Sequence, residues 1–209
     1  MSKPLTWLWL PQNKEAFCKA QDLAEAGTLV FNGTNPPSAL AGVLRTISLT
    51  SDQDLSAVKI TCTGMMNGQM VSETLNGPNG ETIETKQIFD TLTSVGVSDK
   101  VKNLSVGTGT TGQTSWVLFD YQRTFPSLSA QVVILDGTAK YSLMGTLSNP
   151  AQTADMTQCL FVIANDMKEK EESALVPVMP FPVRYVCVQI LEGEATTSLE
   201  ITFLQQGVV

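Results

Sequence analysis

The residues of this chain that could do chemistry are its carboxylates, Glu73, Glu84, Asp120, Asp136, Glu192 and Glu200, each in or beside a run of strand formers. Paired carboxylates serve glycoside hydrolysis when one has a raised pKa and the two face each other across a cleft. No spacing among these acids favours a pair, and they read as solvent-facing strand positions. The chain contains no histidine, so the commonest general base and metal ligand is missing. No serine or cysteine therefore has the partner that nucleophilic catalysis needs. Asp52-Gln53-Asp54 begins like an oxygen-rich calcium loop but lacks that motif's glycine and distal glutamate. It reads as a turn whose carboxylates bond local backbone. Gly107, Gly109 and Gly112 satisfy G-x-G-x-x-G, yet strand formers follow where the dinucleotide fingerprint needs a helix. A loop is expected there, and no catalytic, cofactor-binding or metal-binding residue is assigned anywhere.

Composition narrows the class further. The formal net charge is −7 and no cluster of Lys and Arg exists, which argues against nucleic acid. Cys18, Cys62, Cys159 and Cys187 are far apart, without the close pairs of a zinc site. Cys62 and Cys187 fall within alternating strands and read as buried thiols behaving as small hydrophobes. Leu5–Leu10 is too short for a secretory leader and Pro11 interrupts it. No apolar run is long enough to span a bilayer. Folding in a reducing cytoplasm is the expectation.

The elements that must position these residues are strands. Thr, Ser, Gly and Asn dominate the polar positions, and turn signals recur every eight to twelve residues from Thr28 onward. Expected strands are Thr28–Asn32, Val43–Thr50, Ala57–Thr63, Met70–Leu75, Ile83–Phe89 and Ser94–Val97. A second series is Leu104–Val106, Ser115–Tyr121, Ser129–Leu135, Ala139–Leu147, Arg184–Leu191 and Thr197–Gln205. Val58 to Thr63 alternates strictly between apolar and polar, the pattern of a sheet with one buried face. Asn67-Gly68 predicts a tight hairpin turn with positive φ. One helix is expected from Pro11, with Asn13 as cap, Ala16, Ala20, Leu23 and Ala24 on one face, and Gly27 at its end. The fold class is all-β, one or two antiparallel β-sandwiches with a short N-terminal helix. The expected division is an arm and helix over 1–27 and β halves over 28–106 and 107–209, the latter two separate or continuous.

Two apolar extended segments stand out. Trp7, Trp9 and Leu10 precede the expected helix, and Pro177 and Phe181 lie in a Pro-rich stretch that follows the mixed charge run Asp166 to Ser173. The tryptophans either plug the chain's own core or dock on a neighbouring subunit. The charge run reads as a solvated loop or short surface helix. Trp116, Tyr121 and Tyr141 are the candidates for an exposed sugar-stacking shelf, with a core role as the plainer alternative.

Several segments, in order along the chain, resemble a class of virion proteins of tailed bacteriophages. They are QDLAEAGTLVFNG (Gln21 to Gly33), AVKITCTG (Ala57 to Gly64), VSETLNGPN (Val71 to Asn79), TKQIFDTLTSV (Thr85 to Val95), SVGTG (Ser105 to Gly109), the stretch Gln131 to Leu147, FPVRYV (Phe181 to Val186) and EITFLQQG (Glu200 to Gly207). The resemblance implies a non-enzymatic structural subunit, a homo-oligomer that docks on other virion proteins of capsid, neck or tail. It implies no cofactor, nucleic-acid or membrane partner. A head decoration or head–tail accessory role is favoured, and a glycan- or receptor-binding module of the tail is the alternative. Trp7, Trp9, Leu10, Pro177 and Phe181 are the expected docking residues.

Overall fold

A computed structural model describes residues 4–35, 40, 42–119, 124–153, 159–176 and 183–208. The chain opens with β1 (Leu5–Trp9). Next come β2 (Cys18–Leu23), β3 (Gly27–Thr28), β4 (Val43–Thr50), β5 (Lys59–Met66), β6 (Gln69–Asn76), β7 (Thr82–Glu84), β8 (Thr91–Val97) and the long β9 (Val101–Thr114). The remainder forms β10 (Val117–Leu118), β11 (Thr124–Asp136), β12 (Ala139–Thr146), β13 (Phe161–Val162), β14 (Ala174–Val176), β15 (Tyr185–Gly193) and β16 (Ser198–Val208). A single 3-10 turn, Asn165–Met167, is the only helical element among the described residues. The protein is all-β and sandwich-like. It divides into two compact units, one spanning 12–112 and the other built from 1–11 together with 113–209.

In the 12–112 unit, β2, β9, β4 and β7 are consecutive neighbours in one sheet, and the other has the order β3-β8-β5-β6. Strand β5 commits alternate residues to the interior. On β5, Ile60 and Cys62 are fully buried while Lys59 is exposed and Thr61 half-buried. On β4, Ile47 and Leu49 point the same way, and Leu92, Val95, Leu104 and Val106 complete the core with Phe17 and Phe89. Burying an aliphatic side chain of this size contributes about 2 kcal/mol, so this shared interior holds the two sheets together. The β5–β6 ladder runs without a shift from Lys59↔Asn76 to Met66↔Gln69. Asn67 and Gly68 close it with φ of 53° and 79°, the positive-φ pair of a type I′ turn.

In the second unit, β1 lies at one end of a sheet with the order β1-β16-β11-β14. Its inner face carries Trp9, Leu128, Ala130, Val132, Leu199, Ile201 and Phe203, each no more than 1 % exposed. Strands β12 and β15 pair over eight positions, with β13 on the free side of β12 and β10 against β15. Tyr141, Leu143, Val186, Val188 and Ile190 are among the buried residues of this pair.

Two expectations are corrected. The helix from Pro11 does not form. Asn13 does cap a turn, with its Oδ1 accepting from Glu15 N at 2.9 Å, but one turn later the chain extends into β2. Phe17 N donates to Val106 O at 3.0 Å and Gly33 N donates to Phe17 O at 2.8 Å, so residues distant in sequence supply the backbone partners a helix would have found locally. Ala16, Phe17 and Cys18 are fully buried in succession, while Ala20 and Ala24, which the expected helical face would bury, are exposed. The glycine run Gly107 to Gly112 is not a loop but the interior of β9.

Candidate functional site

The densest polar cluster of the 12–112 unit surrounds Glu84, the last residue of β7. Register pairs Glu84 with Ser48 on β4, and β4 also carries Arg45 and Thr46. The Glu84 carboxylate accepts from Thr46 Oγ1 at 2.7 Å, from Thr110 N at 3.0 Å on both oxygens, from Thr110 Oγ1 at 3.1 Å and from Gln12 Nε2 at 3.1 Å. Arg45 is only 4 % exposed, and its Nε donates to Gly109 O at 3.0 Å, joined by Nη2 on the same oxygen. Desolvation pulls the guanidinium down to about 10, with the charge of Glu84 acting in the opposite sense. Arg45 therefore remains charged at neutral pH.

A side chain at position 109 would strike Thr46 Oγ1 and the Glu84 carboxylate, so only glycine lets β9 pass this close. Both Glu84 oxygens are met by N–H and O–H donors from three parts of the unit. The arrangement ties β7, β9 and the segment at Gln12 to β4. It presents an occupied carboxylate rather than one facing a cleft. Sequence reading included Glu84 among the acids but missed Arg45, Thr46, Thr110 and Gln12. The one local signal was an arginine inside a strand that carries no other charge.

The N-terminal segment is the other candidate. Register pairs Leu5↔Phe203, Trp7↔Ile201 and Trp9↔Leu199, which sets those three residues on the inner face of the sheet. Trp9 is 1 % exposed, and Trp7 meets Phe203 edge-on with ring centroids 5.7 Å apart. Thr6 and Leu8 face the other way, opposite Thr202 and Glu200. Leu5, Leu8 and Leu10 stay 49 %, 54 % and 59 % exposed. The strand carries no charged residue, although sheet edges are ordinarily blunted by charge, proline or a bulge. Pro177 and Phe181 lie outside the described residues.

The remaining candidates sit apart from one another. Glu73 accepts from Lys86 N at 2.9 Å and Gln87 N at 2.8 Å, which clips the loop after β7 onto β6. Asp136 caps Gly137 N at 2.8 Å, and Glu192 lies 3.4 Å from Lys140 Nζ. Glu200 is half-buried opposite Leu8 and Val133. Asp120 and Tyr121 lie outside the described residues. Tyr141 is fully buried, its hydroxyl donating to Glu172 O at 2.7 Å. Trp116 is half-buried, and its Nε1 has no hydrogen-bond partner among the described residues.

Asp54 Oδ1 accepts from Ser56 Oγ at 2.6 Å and Ser56 N at 3.0 Å, bonds that hold its carboxyl below the ordinary range. Hydrogen bonds from Asn103 and then Gln53 do the same for Asp52. Among the described residues no group of three or more Cys, Asp or Glu is placed to hold a metal ion. All four cysteines are free thiols, with Cys18, Cys62 and Cys187 buried. The charge run is more anchored than a solvated loop. Met167 is fully buried, and Lys170 exchanges backbone hydrogen bonds of 2.7 and 2.9 Å with Tyr141. A cleft of about 650 Å³ in the 12–112 unit is lined by Leu23, Leu55, Val58 and Val101 together with Asp22, Asp54 and Asp99. Besides Asp54, Asp22 accepts from Asn103 N at 2.7 Å and Asp99 from Lys100 N at 2.6 Å.

The class defined by fold and site is thus an all-β, sandwich-like protein whose polar clusters are tied into its own framework. No protein family, curated protein or solved structure matches the chain.

Proposed function

We propose that this chain is a non-enzymatic structural subunit of a tailed-phage virion, made in the bacterial cytoplasm. In this reading it self-associates and docks on the capsid or neck as a decoration or head–tail accessory protein. The observation that carries the reading is the uncharged strand β1 at the end of its sheet, locked inward by Trp9 while Leu5, Leu8 and the following Leu10 stay exposed. An extended apolar segment of this kind adds to a neighbour's sheet or fills its groove. The ordered resemblance of the sequence to virion proteins supports the same role. The occupied state of Glu73, Glu84 and Asp136 supports a framework use of these acids rather than a hydrolytic one. A glycan-binding module would want exposed aromatic residues, and burial of Tyr141 favours the docking reading.

Substitution must spare the core, because removing residues 1–10 would also remove Trp9 from the interior. Leu5→Lys with Leu8→Lys changes only exposed positions. The doubly substituted protein should unfold at the same denaturant concentration as the parent yet fail to co-sediment with capsid shells. Normal co-sedimentation would remove β1 as the docking element.

A further inference from the structure

Four Asn-Gly pairs occur in the chain: Asn32-Gly33, Asn67-Gly68, Asn76-Gly77 and Asn79-Gly80. Asn-Gly is the dipeptide most open to intramolecular imide formation, because glycine puts no side chain beside the attacking nitrogen. The reaction needs that nitrogen free and the asparagine amide able to turn towards it. The fold treats the four pairs very differently.

In three of them the glycine N–H is already committed. Gly33 N donates to Phe17 O at 2.8 Å, Gly77 N to Val58 O at 2.8 Å and Gly80 N to Gln53 O at 3.1 Å. Two of the amides are held as well, Asn32 Oδ1 by Lys19 N at 2.8 Å and Asn76 Oδ1 by Lys59 Nζ at 2.6 Å. Asn79 is fixed by its bridge to Asp54. The fourth pair forms the two-residue turn between β5 and β6. There neither Gly68 N–H nor the Asn67 side-chain amide has a hydrogen-bond partner among the described residues. Gly68 is exposed, with open space around its α-carbon. Only the Asn67 backbone N–H is tied, to Asp90 Oδ2 at 3.0 Å.

We infer that Asn67 is a site of spontaneous covalent modification, in which the folded protein directs deamidation to this turn and shields the other three pairs. Gly68 N attacks Asn67 Cγ; the N–Cγ bond forms, the Cγ–Nδ2 bond breaks, and ammonia leaves with the proton that Gly68 N gives up. Water then opens the five-membered imide. Cleavage of the new N–Cγ bond yields aspartate, and cleavage at the main-chain carbonyl yields isoaspartate. No electrons are transferred, and water is the only co-reactant. Either product adds a negative charge close to the Asp90 carboxylate. Isoaspartate also lengthens the main chain inside a turn whose register, Met66↔Gln69, leaves no slack.

The test is a time course of the full chain in mildly alkaline buffer, with each pair followed by peptide mass spectrometry. A parallel sample is held unfolded in urea. In the folded sample, position 67 should convert faster than 32, 76 and 79 by roughly tenfold or more, since each of those must first give up hydrogen bonds. In urea the four rates should fall within a few-fold of one another. Comparable rates at all four sites in the folded protein, or a lag at 67, would overturn the inference. The same lead for 67 in urea would overturn the assignment of shielding to the fold.

Discussion

Trp7 and Phe203 meet edge to face, with ring centroids 5.7 Å apart and planes at 79°, and so join the first strand of the chain to the last. The contact shows that the apolar N-terminus is part of the sheet before it can be anything else. Trp9, two residues on, is the deeper of the two anchors at 1 % exposure.

Trp9→Ala should therefore destabilise the protein by about 3–5 kcal/mol, the usual effect of emptying a large aromatic site. Trp7→Ala should do less, because Trp7 is only half-buried; its edge-on pairing with Phe203 accounts for about 1 kcal/mol. Urea unfolding of the two variants, followed by circular dichroism, gives the ordering directly.

Glu84→Ala should be disruptive out of proportion to its partial exposure. It removes the acceptor for Thr46, Thr110 and Gln12 and takes away a negative charge that helps to compensate the buried Arg45. A loss of about 2–4 kcal/mol is expected in denaturant titration. Glu84→Gln, which keeps an acceptor oxygen, should lose less.

Alkali should weaken the fold through its thiols. Burial raises Cys18 from 9.0 to about 12. Cys62 is likewise raised to about 12, mainly by burial, and burial pushes Cys187 up as well. Below pH 9 the thiols keep their protons folded or unfolded, so their contribution is constant. Above it the unfolded thiols ionise and the buried ones do not, so the unfolded state binds fewer protons and stability falls with rising pH. Each thiol should cost about 1.4 kcal/mol per pH unit within this window. The melting temperature should decline from about pH 9 upward, and a Cys18→Ala, Cys62→Ala variant should decline less steeply.

Much of the strand pattern was legible locally. Val43–Thr50 was read at its observed bounds, and the Asn67-Gly68 turn at its observed conformation, because alternation and turn chemistry are properties of neighbouring residues. The helix misreading has the opposite cause. The spacing of Ala16, Ala20, Leu23 and Ala24 is genuinely helical, but Cys18 pairs with Val106, a residue that no local window contains. The glycines of β9 misled for the same reason. Gly109 is bare to clear Thr46 and Glu84, partners far away in sequence. The Arg45–Glu84 cluster is assembled entirely from such distant pieces.

The central claim is most directly tested by the mass of the purified chain in solution, measured by light scattering with and without capsid shells. The account predicts a closed oligomer, or particles whose mass rises as the protein loads onto the shells. A monomer whose scattering is indifferent to shells would contradict it.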